Sequence, residues 1–578
     1  MRKDALRAAA TRRRFLLSGA ALASASLVGC GGGGGSGASG IGIIGGAGGA
    51  VGTGAGGDDS LVASTASGRY RGRQQDGVAS WLGIPYAQPP VGPLRFQAPR
   101  SVQPVTGIVD AAAFGAASLQ TVGGMVSWIY PTPELQSEDC LTLNVWSPSG
   151  AQRLPVIVWF HGGGFRTGAT SMPLMNGKLL AQRGVVVVTA NYRLGALGLL
   201  SHPDFADAGN GATANWQLQD MDAALRWVRD NIGAFGGDPA RVCVVGQSGG
   251  AMHTAMLAQN PAYRGTFQRA VLLSPPNVAP PASLTVTDAA AYTELLATKL
   301  GTTPRGLRDV PAKALHDAEL AQNAAPLPAG FASGASPYKL APLIDGKTYL
   351  GDWTRRDWPS DLPVVIDYTL DEGAFWWDLY DPASNSMLTP TPPGTLPALG
   401  AALAAQLGGR TDAANTVIDV YVQAALAEGR PTTPSLLWTD IFGDQLLRNF
   451  GTRYAARLSA AGVPVRLGTY MHAVKAPGRG VPHCADVPML FGTYGLNYYR
   501  DKLGATPQEA QLSNQLMAAM VSFASEAQPR LGTGEAWPLY RPGTATSVRW
   551  GEGAMGDTVL GPVPKLDQLK VWDAVLGY

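Results

Sequence analysis

The stretch that decides the fold is Arg241-Val242-Cys243-Val244-Val245-Gly246-Gln247-Ser248-Gly249-Gly250-Ala251. Its first half is a run of β-branched residues that ends abruptly in Gly-x-Ser-x-Gly, and the segment from Ala251 to Ala258 is helix-compatible. A serine on such a tight strand-to-helix turn has its hydroxyl held clear of the sheet, the arrangement known as a nucleophile elbow. Glycines two positions before and after Ser248 leave room where side chains would strike the neighbouring strand or helix. In a chain with 74 glycines the alternative is a surface turn. The strand before and the helix after are the context the motif requires.

Upstream, Leu154-Pro155-Val156-Ile157-Val158-Trp159-Phe160 is a continuous apolar run, expected of a strand covered on both faces. It ends in His161-Gly162-Gly163-Gly164-Phe165. Three glycines let the chain curl so that successive N–H groups point into a site, where they can stabilise charge developing on a carbonyl oxygen. A glycine-rich loop of this kind ahead of Gly-x-Ser-x-Gly is an oxyanion-loop arrangement, and His161 beside it is expected to be structural. The buried run Gly184 to Asn191 follows, and then a helical periodicity from Asn215 to Ile232 (Trp216, Met221, Leu225, Val228, Ile232) that leads into the elbow strand. Alternating strand and helix predict an α/β architecture, a large mainly parallel sheet with helices on both faces.

Six motifs in register then carry a family resemblance. They are Gly83-Ile84-Pro85-Tyr86-Ala87, Ser137-Glu138-Asp139-Cys140-Leu141, Gly162-Gly163-Gly164-Phe165, Asn191-Tyr192-Arg193-Leu194-Gly195, Ala224-Leu225-Arg226-Trp227-Val228 and Phe235-Gly236-Gly237-Asp238-Pro239. From about Leu61 to about Tyr540 the chain resembles the type-B carboxylesterases, the cholinesterase-like α/β-hydrolases. The resemblance implies one large α/β-hydrolase domain over residues 60–578, with cap and gorge insertions and no metal or organic cofactor. It also implies that Arg95 and Glu138 form an ion pair; otherwise they are two exposed charges.

A serine hydroxyl needs a base, and the base an orienting acid. In this fold they follow the serine in the order acid, then histidine. Of six histidines only His472 and His483 come late enough. His472 lies in the strand-like run from Val465 and suits a satisfied core or edge residue. His483 follows the loop Ala476 to Pro482, and its segment resembles the family's His-Gly-x-Asp/Glu-Leu-Pro-x-x-Phe-Gly stretch, which makes it the candidate base. For the acid, the strand Leu362 to Tyr368 ends in Thr369-Leu370-Asp371-Glu372-Gly373. Chemistry leaves Asp371 and Glu372 both open; the resemblance to the family's Asp-Glu-Gly motif selects Glu372, with Asp371 a solvated or loop-bonding neighbour. Ser248, Glu372 and His483 would then hydrolyse a carboxylic ester through an acyl-enzyme, with the N–H groups of Gly163, Gly164 and Gly249 as oxyanion hole.

The resemblance is not uniform. Gln247 and Gly249 stand where the family commonly has Glu and Ala, which removes a negative charge beside the nucleophile but keeps the backbone N–H. Cys140 matches a cysteine that usually closes a short disulfide loop, but no cysteine lies between Leu61 and Trp128 to partner it. The segment Ala117 to Gln136, with Trp128 and Tyr130, is therefore expected to be mobile, and no disulfide framework is expected. Phe165, Gln247 and Trp128 are candidate pocket-lining residues. Phe375, Trp376, Trp377 and Tyr380, on a helix-compatible segment after the acid, either line the pocket or pack that helix. Leu512, Leu516, Met517 and Met520 have the spacing of an amphipathic helix.

The N-terminus reads as an address. Thr11-Arg12-Arg13-Arg14-Phe15-Leu16-Leu17 matches the twin-arginine export pattern, and the apolar stretch after it is shorter than the ~20 residues that span a bilayer. Leu27-Val28-Gly29-Cys30 looks like a bacterial lipobox, so residues 1–29 are a signal peptide and Cys30 the lipidation site; cleavage after Ala23-Ser24-Ala25 is the alternative. A glycine-rich tether follows through residue 59, with an r.m.s. span of roughly 30 Å. The expected location is the cell envelope, anchored by lipid, or alternatively soluble in the periplasm or secreted. Residues 1–29 carry a net charge of +5, so the formal +2 of the whole chain becomes −3 without them. Nothing in that charge supports nucleic-acid binding. Two alternatives to a soluble-ester hydrolase stay open: a lipase or polyester esterase acting on insoluble substrate, and a non-catalytic binding or adhesion module on the same fold.

Overall fold

The computed structural model describes residues 61–576 apart from 123–127, 277–284, 325–339, 377–379, 382–385, 388–392, 477–479 and 527. The signal segment, the tether and Cys30 lie outside the described residues, as does Trp377.

The centre is an eleven-stranded sheet. In chain order its strands are Arg73–Gln75 (β1), Val78–Pro85 (β2), Thr142–Pro148 (β3), Leu154–Phe160 (β4), Val186–Ala190 (β5), Gly237–Gln247 (β6), Arg269–Leu273 (β7), Val364–Thr369 (β8), Val465–Tyr470 (β9), Thr546–Trp550 (β10) and Val559–Pro562 (β11). Across the sheet they run β11-β10-β9-β8-β7-β6-β4-β5-β3-β2-β1. Every pair from β10 to β5 is parallel. Both edges are antiparallel. The apolar runs of β4, β5 and β6 are the parallel middle, as expected of strands with no solvated face.

Strand alternation divides the interior into two cores. Val242 and Val244 of β6 face one, together with the helices Trp216–Asn231, Gly249–Gln259 and Asn449–Ala460. Cys243 and Val245 face the other, which is closed by Leu512, Leu516, Met517 and Met520 of the helix Pro507–Ser525. A smaller third core joins the helices Leu396–Gln406, Thr411–Ala427, Pro434–Gly443 and Leu566–Leu576 through Leu399, Leu403, Val417, Tyr421, Leu437 and Trp572.

Two local expectations need correction. The segment after Glu372 is not one helix: Glu372–Trp376 is a 3₁₀ turn, and Tyr380–Asp381 pairs with Ser386–Met387 as a short hairpin. The i, i+3 aromatic spacing fits a three-residue turn as well as an α-helix, and Gly373 packs directly on the Thr439 carbonyl. Second, the Ala117–Gln136 segment is tied at its base, where the Ala117 N–H donates to Leu135 and the Ser137 N–H to Ala117. Tyr130 within it is buried. Arg95 and Glu138 form the expected ion pair, and it is buried, with Arg95 Nη2 donating to Glu138 Oε2 at 2.6 Å. Cys140, Cys243 and Cys484 are buried free thiols.

Candidate active site

The C-terminal ends of β6, β8 and β9 converge on one place, where strand order reverses between β4 and β6, and ligands in open parallel sheets bind at such reversals. Ser248 directly follows β6 with φ +53° and ψ −122°, a positive-φ conformation strained for a residue with a Cβ. Its N–H donates to the Leu273 carbonyl at the end of β7 at 2.8 Å, and the helix Gly249–Gln259 starts immediately after it. Among the described residues the Ser248 hydroxyl makes no hydrogen bond.

The glycine loop lies against this turn. A Cβ on Gly162 would come within 2.9 Å of Ser248 Cβ, so only glycine lets the loop approach so closely. Among the described residues the N–H groups of Gly163 and Gly164 donate to no acceptor. Gly249 is the first residue of its helix, where N–H groups have no intrahelical partner. The three candidate oxyanion donors are therefore free to bind a ligand. His161 braces the loop as a structural residue: its Nδ1 donates to the Gly162 carbonyl at 2.8 Å and its ring stacks on Tyr192 at 4.4 Å. Burial pulls its pKa down to about 4, so it is neutral.

His483 is buried, and its Nδ1 lies 2.5 Å from Glu372 Oε2. Glu372 Oε1 accepts from Ser274 Oγ at 2.5 Å and from the Thr369 N–H at 2.9 Å. Three donors thus converge on one fully buried carboxylate. Burial works against the imidazolium, but Cys484 and the Glu372 carboxylate outweigh it and raise the His483 pKa above its ordinary value. On the other side of the ring, His483 Nε2 is 3.0 Å from the side-chain amide nitrogen of Gln247, whose Oε1 accepts from the Tyr130 hydroxyl at 3.3 Å.

Asp371 points away from this cluster. Its Oδ2 accepts from the Val481 N–H at 3.0 Å, its own N–H donates to the Val481 carbonyl, and Lys565 Nζ donates to its Oδ1 at 2.9 Å. It is the loop-bonding neighbour, tying the acid loop to the loop that carries His483; Lys565 outweighs burial and holds its pKa below the usual carboxylate range. His472 is a satisfied edge residue just beyond β9, with Nε2 2.9 Å from Glu509.

A match to the model of the carboxylesterase family covers residues 59–555. The chain belongs to the carboxylesterase family. It is 33% identical over 499 residues to the fumonisin B1 esterase of Sphingopyxis macrogoltabida, covering 84% of this chain and 85% of that protein. To the para-nitrobenzyl esterase of Bacillus subtilis it is 33% identical over 493 residues, covering 84% and 94%. A solved structure of PNB esterase superposes with a TM-score of 0.71 at 30% identity, over 89% of this chain and 99% of that one. The chain is therefore a carboxylic ester hydrolase with the α/β-hydrolase fold.

Several candidate pocket residues of this esterase sit behind the site rather than on its surface. Gln247 is fully buried and contributes no pocket wall. Phe165 is also buried, its ring 5.1 Å from His253 and packed against Gly249. Phe375 is buried with its ring centroid 5.4 Å from that of His483, so it packs on the candidate base. Trp128 is partly buried in the second core, and its carbonyl accepts from Lys502 Nζ at 2.9 Å. The Trp376 and Tyr380 side chains lie outside the described residues. A cavity of about 620 Å³ lined in part by Arg100, Asp207, Arg226 and Trp227 includes none of the candidate triad.

Ser274 and Tyr130 were not foreseen as site residues. Ser274 had a usable signal, a serine directly at the end of the apolar run Arg269–Leu273. Tyr130 had none, since it is 117 residues from its partner.

Proposed function

We propose that Ser248 is the nucleophile, His483 the general base and acid, and Glu372 the residue that orients and charges-balances the imidazole. The observation that carries this is the bond from His483 Nδ1 to a fully buried carboxylate beside the strained serine turn. Glu372 accepts a hydrogen bond from Nδ1–H and stays ionised, which leaves the Nε2 lone pair to take the Ser248 proton as Oγ attacks the ester carbonyl. The Gly163, Gly164 and Gly249 N–H groups stabilise the oxyanion. His483 then protonates the leaving alcohol, and water repeats the sequence on the acyl-enzyme to release the acid.

Among the described residues no Ser248–His483 hydrogen bond is present, and such catalytic contacts commonly tighten only around substrate. The test is labelling with a serine-directed phosphonate followed by peptide mapping, alongside Ser248→Ala assayed on short p-nitrophenyl esters. Modification of Ser248 alone and loss of hydrolysis in the variant are expected; retained hydrolysis rejects the assignment.

The chain is further proposed to be an exported lipoprotein, on the strength of Arg12-Arg13-Arg14 and the Leu27-Val28-Gly29-Cys30 stretch. Cys30→Ala is expected to move the protein from the membrane to soluble or precursor fractions, and an unchanged distribution rejects the anchor.

A further inference from the structure

We propose that Gln247 is a positioning residue for the general base: its amide N–H holds Nε2 of His483, and the Tyr130 hydroxyl fixes the orientation of that amide. This rests on the assignment of His483 as the base.

For the neutral imidazole the direction of each hydrogen bond in the chain follows from the next. Glu372 is surrounded by donors, from Ser274 Oγ and the Thr369 N–H as well as from the imidazole. A carboxylate only accepts, so His483 carries a proton on Nδ1, and in the neutral ring, the form that can act as a base, Nε2 is an acceptor. The Gln247 group 3.0 Å from Nε2 must then be its NH₂ end. The carbonyl end therefore faces Tyr130, whose hydroxyl donates at 3.3 Å. One polarity runs from Tyr130 through Gln247 and His483 to Glu372.

Gln247, Tyr130 and His483 are all buried, so water does not substitute for a missing link. A buried polar group left unpaired costs about 1–3 kcal/mol, enough to hold the amide in one orientation. Its Oε1 is also wedged against Gly162, so the side chain that touches the base touches the oxyanion loop as well. Between turnovers the amide keeps the lone pair of the base occupied and the ring in the tautomer that catalysis needs. When substrate draws Ser248 Oγ toward Nε2, the hydroxyl replaces the amide as the donor.

Glutamate has the same length as glutamine but can only accept when ionised. Gln247→Glu therefore suits an imidazolium and opposes the neutral base. The other titratable groups facing His483 stay in place: Glu372 from the loop after β8, Cys484 and Asp486 from its own loop, and Tyr130, which meets both residue 247 and Cys484.

The test is the pH dependence of kcat/KM on a p-nitrophenyl ester for the full chain and for Gln247→Glu, Gln247→Met and Tyr130→Phe. For Gln247→Glu the acidic limb is expected to move up by about one pH unit or more. Gln247→Met keeps the volume without the donor, and a fall in kcat of about tenfold with little change in KM is expected. Tyr130→Phe is expected to lower kcat less than Gln247→Met, again without altering KM. Melting temperature and the stoichiometry of phosphonate labelling show whether each variant is folded. Should Gln247→Glu fail to fold, Gln247→Met and Tyr130→Phe decide: unchanged kcat in both overturns the proposal. An acidic limb in a folded Gln247→Glu that superimposes on the wild type also overturns it. Failure of the triad assignment looks different, because the wild-type chain would then escape phosphonate labelling at Ser248.

Discussion

Replacing Glu372 by glutamine changes one atom and sets three hydrogen bonds against each other. In the native site Oε1 accepts from Ser274 Oγ and the Thr369 N–H, and Oε2 accepts from His483 Nδ1. An amide has one oxygen and one NH₂, so it cannot accept at both ends. With NH₂ toward the imidazole, the ring must move its proton to Nε2, where it can no longer take a proton from Ser248 and confronts the Gln247 N–H at 3.0 Å. With NH₂ toward β8, it meets the Thr369 N–H at 2.9 Å, a donor-to-donor contact in a fully buried place that costs about 1–3 kcal/mol. Even that orientation offers the imidazolium a neutral oxygen instead of a carboxylate, and hydrogen bonds between charged groups are roughly twice as strong.

The two routes together predict a fall in kcat/KM of about 10³–10⁴, the size found when a buried triad carboxylate becomes an amide. KM is expected to change little, because Glu372 is buried and has no surface for substrate. Initial rates on p-nitrophenyl butyrate, with active sites counted by phosphonate labelling, measure both parameters. A loss smaller than about tenfold in a folded variant refutes Glu372 as the orienting acid.

Other outcomes follow from the same geometry. Asp371→Asn keeps an acceptor for the Val481 N–H but removes the charge facing Lys565, so a drop in melting temperature with kcat/KM within about tenfold of wild type is expected; a loss as large as that of Glu372→Gln would exchange the roles of the two acids. With His483 as the proposed base, activity needs its neutral form, and its pKa is raised, so activity is expected at high pH and lost as pH falls, with the acidic midpoint above 6.5 in a pH–rate profile. Burial, then Glu372, push Asp486 from 3.8 up to about 7, so the native state binds the extra proton across that window and this group lowers stability as pH rises through it, by at most about 4 kcal/mol. Asp486→Asn removes that dependence: its melting temperature relative to wild type should rise between pH 5 and pH 8, and parallel curves would reject the assignment.

Much of this was legible in the sequence because the parallel middle of the sheet consists of uninterrupted apolar runs, each ending in glycine or polar residues that carry the chemistry. Ser248, the glycine loop and the ends of β8 and β9 could be placed from such boundaries alone. The choice between Asp371 and Glu372 could not. It depends on which carboxylate faces Lys565 and which faces His483, partners 194 and 111 residues away. The aromatic segment after the acid misled for a local reason, since spacing by three fits a 3₁₀ turn and an α-helix alike. Gln247 was legible but read wrongly. Cys243 and Val245 on the same strand face one core, and alternation places residue 247 on their side, beneath the nucleophile rather than beside it.

That placement alters what the two unusual elbow residues mean. A Cβ on Gly249 would meet the Phe165 ring at 2.9–3.0 Å, and Phe165 is in turn pinned edge-on against His253 on the helix that starts at Gly249. The missing methyl is thus matched by an aromatic ring, and the N–H that would bind an oxyanion stays where the turn puts it. Gln247, on the other face, replaces charge with a donor that the base can use. Both residues are buried, so each would act on the turn and its backbone N–H rather than through an exposed side chain. On the proposed triad, what these two residues would set is how readily Ser248 loses its proton.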